Sequence, residues 1–215
     1  GEILGLAGLS DCGMHDLGKI LFGRYVPAEG TVTAGDGTKI HNTTTAIKEG
    51  IGYVSKNRDT EALLSSGSIK DNVVLPSLDQ LKKAGFFITR KSERDLTTEW
   101  CKKLEVKMRD MNQAVSELSG GNKQKVVLAK WMGNHSNIFI LDCPTRGIDV
   151  GVKEAIYRMM EDLKAQGHSI VMISEELPEV IGMSDRIIAM KDGKITKIFE
   201  RHPGLTEADV IQYMI

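Results

Sequence analysis

Three short stretches hold residue types at spacings that could do chemistry. The first, Gly8-Leu9-Ser10-Asp11-Cys12-Gly13, is a G-x-x-x-x-G loop. Placed between a strand and a helix, its bare backbone amides can surround phosphate oxygens. Such a loop ordinarily runs on into lysine and then serine or threonine, which serve the β/γ-phosphates and magnesium, but Met14 and His15 stand there. Asp11 and Asp16 add carboxylates near the place where a polyphosphate would lie. Lys19 falls more than a turn further along, on another face of the helix. By itself the stretch is equally well a strand-to-helix turn that needs glycine for its geometry.

The second stretch, Leu118-Ser119-Gly120-Gly121-Asn122-Lys123-Gln124, opens a helix with a serine and two glycines. The first amides of a helix are unsatisfied, so small residues there make an anion receptor that another molecule's phosphate can approach closely. Ser119 alone would read as an ordinary N-cap; the whole string is more specific. The third stretch, Asn137 to Thr145, is an apolar run that ends on Asp142. The carboxyl edge of a parallel sheet is the usual place for a magnesium-associated carboxylate, although a lone aspartate there can also cap the following turn.

The elements that must position these residues follow from apolar periodicity. Ile3 to Ala7 reads as a buried strand, and helical spacing resumes over Leu17 to Phe22. Gly35-Asp36-Gly37 between Thr31-Val32-Thr33 and Thr38-Lys39-Ile40 reads as a hairpin, and Ile51 to Val54 as a strand. From about Ser68 to Asp110 the strand signals stop, and Leu96, Trp100 and Leu104 share one helical face. We therefore expect a single domain over 1–215 with an inserted helical subdomain over about 68–134. Val127, Leu128, Trp131 and Met132 mark a helix, Ile138 to Leu141 a core strand, and Val152, Ile156, Met159, Met160 and Leu163 a helical stripe. Ser169 to Ile173 is a strand and Glu176 to Ile181 a short helix. A hairpin turning at Asp192-Gly193 follows, and Thr206-x-x-Asp209 has the form of a capping box. Alternating strands and helices predict an α/β fold whose sheet is mostly parallel with an antiparallel margin.

Composition excludes several classes. With 28 Lys plus Arg against 29 Asp plus Glu over 215 residues, the chain lacks the basic excess of a nucleic-acid binder. Its longest apolar runs are four residues, against the roughly 20 that span a bilayer. Cys12, Cys101 and Cys143 are widely spaced and fit neither a disulfide framework nor a zinc pattern, which suits a reducing compartment. His41, His135, His168 and His202 have no ligand spacing, Trp100 and Trp131 read as packing residues, and Arg90 to Asp95 as a solvated helix face. The opening Gly1-Glu2 has neither initiator methionine nor charged leader, and reads as the start of an excerpt from a longer polypeptide.

In their order and separation the three motifs resemble a Walker A loop, an LSGG signature and a Walker B strand, those of the nucleotide-binding domain of an ABC protein, and the resemblance covers almost the whole chain. Gly1 to Leu9, Leu118 to Val126, Pro144 to Gly151, Glu176 to Val180 and Gly182 to Arg186 are similar to the second cassette of tandem sugar-importer ATPases. The resemblance implies a P-loop NTPase core that uses ATP and Mg2+ and pairs head to tail with a second cassette. It also implies permease subunits at the cytoplasmic face of the membrane and, indirectly, a solute-binding protein.

It assigns the Walker A task to Gly8, Ser10, Asp11, Gly13, Met14, His15 and Asp16, and the Walker B task, with magnesium through water, to Asp142. Gly147-Ile148-Asp149 would be the D-loop, and Ser119, Gly120, Gly121 and Asn122 the signature offered to the partner's ATP. The departures matter. Cys143 occupies the slot of the catalytic glutamate, Glu175 that of the switch histidine, and Lys56 that of the Q-loop glutamine. A thiol cannot polarise water as a carboxylate does, so the resemblance implies a cassette that lends its signature and hydrolyses poorly at its own site. The alternatives are an autonomous ATPase at its own Walker site and a non-catalytic structural or regulatory cassette. The resemblance further implies that the first strands and the adenine-stacking aromatic lie before Gly1.

Overall fold

A computed structural model describes every residue of the chain except 83 and 84. Its frame is a six-stranded sheet. In chain order the strands are β1 (Glu2–Gly8), β4 (Ile51–Val54), β5 (Ile138–Asp142), β6 (Ser169–Ile173), β7 (Arg186–Lys191) and β8 (Lys194–Glu200), with a small separate hairpin of β2 (Val32–Thr33) and β3 (Lys39–Ile40) between β1 and β4. In space they run β4-β5-β6-β1-β7-β8, all parallel except β8, which pairs antiparallel with β7. The expected α/β architecture with an antiparallel margin is thus the one observed.

The helices are α1 (Met14–Leu21), α2 (Thr43–Lys48), α3 (Ile69–Val74), α4 (Leu78–Leu81), α5 (Arg90–Lys103), α6 (Gly120–Gly133), α7 (Val150–Ala165), α8 (Leu177–Met183) and α9 (Glu207–Ile211). The central parallel strands are near-continuous apolar runs because helices cover both faces. Val180 of α8 lies against Gly5, where an added Cβ would sit 2.6 Å from it, and Leu177 and Val180 pack with Ala7. By strand alternation Leu6 points to the other face, where α1 packs. Gly18 of α1 comes so close to Ile173 that a Cβ there would lie 2.6 Å from it.

Between β4 and β5 the described residues hold only helices, turns and isolated bridges. Ser68 and Asp71 form a reciprocal capping box at the start of α3, as Thr206 and Asp209 do at α9. The helix α6 is buried nearly all round, and Trp131 on it meets Phe22 edge-on, while Phe22 stacks on Tyr53. The outermost strand, β8, is mostly exposed and carries Lys194 and Lys197, charges that discourage edge pairing.

Candidate functional site

Four adjacent parallel strands, β4, β5, β6 and β1, deliver their carboxyl ends to one place. The loop after β1 is shaped by its glycines. Gly13 takes φ +93°, a left-handed conformation that suits glycine, and serves as N-cap of α1. A Cβ on Gly8 would lie 2.2 Å from Cys12 Sγ, so the turn closes only without one. Met14 is fully buried in the main core, and α1 begins on it, three residues before the helical spacing in the sequence resumes.

Beside it the side chains interlock. His15 Nδ1 lies 2.7 Å from one oxygen of Asp142, and the Tyr53 hydroxyl donates to the other at 3.0 Å. Lys56 Nζ is 3.3 Å from His15 Nε2 and donates to Glu175 Oε1 at 2.6 Å, and Ser10 Oγ donates to the same oxygen at 2.7 Å. A carboxylate only accepts, so Nδ1 turns a ring hydrogen to Asp142, while Nε2 faces both the Lys56 ammonium and, at 3.4 Å, Glu175 Oε1. The Lys56 and Ser10 hydrogen bonds hold the Glu175 pKa down at about 2. A carboxylate that weakly basic makes a poor proton acceptor near neutrality.

Cys143 is buried next to Asp142, and desolvation together with the Asp142 charge pushes its thiol up to about 12. Its backbone sits at φ +49°, a strained position for a side-chain-bearing residue. Of the residues singled out in the sequence, Ser10, His15, Asp142, Cys143 and Glu175 therefore come together. Asp16 is exposed and pairs with Lys19 at 3.6 Å, while Asp11 is exposed.

The stretch Ser119 to Asn122 forms a second, separate locus. Ser119 is exposed, N-caps α6 and makes no side-chain cap bond; its hydroxyl instead accepts from Asn122 Nδ2 at 3.0 Å. Asn122 also accepts the Lys107 amide at 2.8 Å, which pins the neighbouring loop. Gly121 is buried against α7, where a Cβ would lie 2.9 Å from Val152. The leading turn of α6 thus keeps its free amides behind a small, accessible surface.

Sequence reading missed the residues that tie these loci together. Arg58, two positions after Lys56, donates to Gln124 of α6 at 3.4 Å and to the carbonyls of Arg146 and Gly147 at 3.0 and 3.4 Å. Beneath Cys143, the buried Glu179 accepts from Thr145 at 2.5 Å and from Ser174, and its charge after desolvation helps push the Tyr157 hydroxyl up to about 12. Tyr53 had no signal beyond its place in an apolar strand. Lys56 was noticed only through family resemblance.

The ABC transporter family model matches residues 1–146 of this chain. The chain belongs to the ABC transporter family. This cassette is 42% identical over 210 residues to the ribose import ATP-binding protein RbsA of Bacillus cereus, covering 97% of this chain and 42% of that protein. It is 43% identical over 213 residues to RbsA of Lactococcus lactis subsp. lactis, covering 99% of this chain and 43% of that one. The cassette therefore spans well under half the length of these curated relatives. A solved dimeric bacterial ABC transporter cassette is similar over 94% of this chain and 86% of its own, with TM-score 0.80 and 25% identity. A second, a dimeric post-hydrolysis cassette bound to ADP and phosphate, matches in fold with TM-score 0.79 and 24% identity over the same shares. The cassette thus has the P-loop NTPase fold of ATP-binding cassettes, and no described helix is long and apolar enough to cross a membrane.

Proposed function

We propose that this cassette is the second, degenerate one of a tandem ATPase that drives import of a sugar or similar small solute, and that it lends its signature to a composite ATP site. The observation that carries this reading is the contrast between its two loci. At the Walker loop no side chain offers a lysine ammonium or a hydroxyl at the slots for phosphate and magnesium. Met14 is in the core, His15 and Tyr53 occupy both oxygens of Asp142, and the nearby ammonium of Lys56 is committed to Glu175. Imidazole, thiol and an engaged carboxylate are a poor donor set for the hydrated magnesium of a nucleotide. At the signature, by contrast, Ser119 is exposed and the amides of the first turn are free to take the γ-phosphate of ATP held by a partner cassette.

The partner would supply lysine, Mg2+ ligands and the catalytic glutamate, while Ser119, Gly120 and Gly121 orient the phosphate for in-line attack. Closure of the pair would pass from Arg58, which touches both α6 and the Arg146-Gly147 turn, through Lys56 to about Leu78 and the helices over 68–134. Those helices would form the lobe that docks permease subunits at the cytoplasmic face, served in turn by a solute-binding protein.

The test is a calorimetric titration of Mg-ATP into this chain, beside the Met14→Lys/His15→Thr double variant. We expect no binding by the parent and binding by the variant, whose lysine leaves the core because a buried unpaired ammonium is costly. Micromolar binding by the parent would sink the reading.

A further inference from the structure

The residues that replace the Walker A and catalytic-glutamate side chains are themselves metal donors. One donor atom each from His15, Asp142 and Cys143 lie within 4.8 Å of one another. We propose that these three form a site for a borderline transition-metal dication, best matched by zinc, in place of the magnesium of a nucleotide. An imidazole nitrogen, a carboxylate oxygen and a thiolate are the ligand types zinc takes, and three of them leave a fourth position open. Metal distances of about 2.0–2.3 Å require the donor atoms to close to roughly 3–4 Å, an approach of about 1 Å from their 4.8 Å limit. The 2.7 Å contact of His15 with Asp142 opens slightly as the ion enters between them.

The surroundings fit. Glu175 Oε1 lies 3.4 Å from His15 Nε2, the arrangement in which a carboxylate steadies the far nitrogen of a metal-bound histidine. The Tyr53 hydroxyl holds the second Asp142 oxygen in the same way. On binding, Nδ1 gives up its hydrogen and the ring carries one on Nε2 instead, turned to Glu175 with Lys56 moved off that nitrogen, and the Cys143 thiol gives one proton to solvent. Asp142, Glu175 and the thiolate then carry three negative charges against the single ammonium of Lys56, and a dication brings the cluster to neutrality. All the donors are buried or partly buried, where such compensation counts most.

Cobalt(II), which reports four-coordinate thiolate sites in its absorption spectrum, is the probe, titrated into this chain. We expect visible ligand-field bands and a near-ultraviolet thiolate band that saturate at one equivalent, are displaced by zinc and survive excess magnesium. The thiolate band should vanish in Cys143→Ser and in His15→Ala, and should persist in Cys12→Ser/Cys101→Ser, which leaves Cys143 as the sole thiol. Glu175→Gln, which removes the outer carboxylate, should weaken cobalt binding about 10–100-fold. No saturable thiolate band in the parent, or its loss in the Cys12→Ser/Cys101→Ser variant, would overturn the proposal even if Cys143→Ser failed to fold. The nucleotide titration reads the proposed function and the cobalt spectrum reads this site, so each can fail without the other.

Discussion

Ser119 and Glu175 are both exposed to solvent but differ in what holds them. Ser119 contributes almost nothing to the fold, since its hydroxyl only accepts from Asn122, yet it stands at the mouth of the free amides of α6. Ser119→Arg should therefore leave the melting temperature unchanged while lowering ATP turnover by the paired cassettes about 10²–10³-fold, the scale of losing one well-placed donor to a developing charge. Steady-state ATPase assays on the assembled transporter, with calorimetric melting as control, read both. Equal ATPase in parent and variant would contradict the lending of the signature. Glu175, for its part, is engaged by Lys56 and Ser10 and made weakly basic, which makes it a poor proton acceptor near neutrality.

At the scale of elements, α6 and α7 meet through Gly121. A methyl group there would press to 2.9 Å on the short, stiff Val152 side chain, whereas one on Gly120 would meet the flexible end of Arg58 at 3.1 Å. Gly121→Ala should destabilise by about 1–2 kcal/mol, overpacking outweighing the helix propensity gained, and Gly120→Ala should be nearly neutral in denaturant titration. The strands were legible because both-sided burial writes itself as unbroken apolar runs such as Ile138 to Leu141 and Ile170 to Ile173. The capping boxes of α3 and α9 were visible as local spacing, though only the latter was read. The start of α1 was missed because Met14-His15-Asp16 shows no apolar period, and α2 because Thr43-Thr44-Thr45 has weak helix propensity and is secured by an Asn42 cap. The partners of Asp142 were beyond reach for another reason. Tyr53 and His15 lie 89 and 127 residues from it in sequence, and only the order of strands in the sheet brings them together.

Across the whole molecule, Asp185 joins regions far apart in the chain. It accepts the Ile3 amide at 2.9 Å at the start of β1 and the Lys164 ammonium at 2.5 Å from the end of α7. Burial pushes its carboxyl up, but the Ile3 amide and Lys164 together outweigh this and hold its pKa below the ordinary value. A carboxylate with a depressed folded pKa contributes stability above its unfolded value, about 4, and loses it as the pH falls through the folded one. Asp185→Asn should thus lower stability at pH 7 and flatten its fall below about pH 4 in acid denaturation. A profile as steep as the parent's would assign the acid sensitivity elsewhere. The fold as a whole was foreseen from the alternation of elements, but such bridging contacts leave no local trace in the sequence.

The interlock of His15, Asp142, Lys56 and Glu175 also bears on descent. Restoring a glutamate at Cys143 alone would set a third carboxylate beside Asp142 and Glu175 with one ammonium to balance them, a step that costs stability before any activity returns. The changes at Met14 and His15 must come first. If the cassette has the role proposed above, the mutational route to a self-sufficient ATPase is therefore ordered, because residues from four strand ends must change as a set.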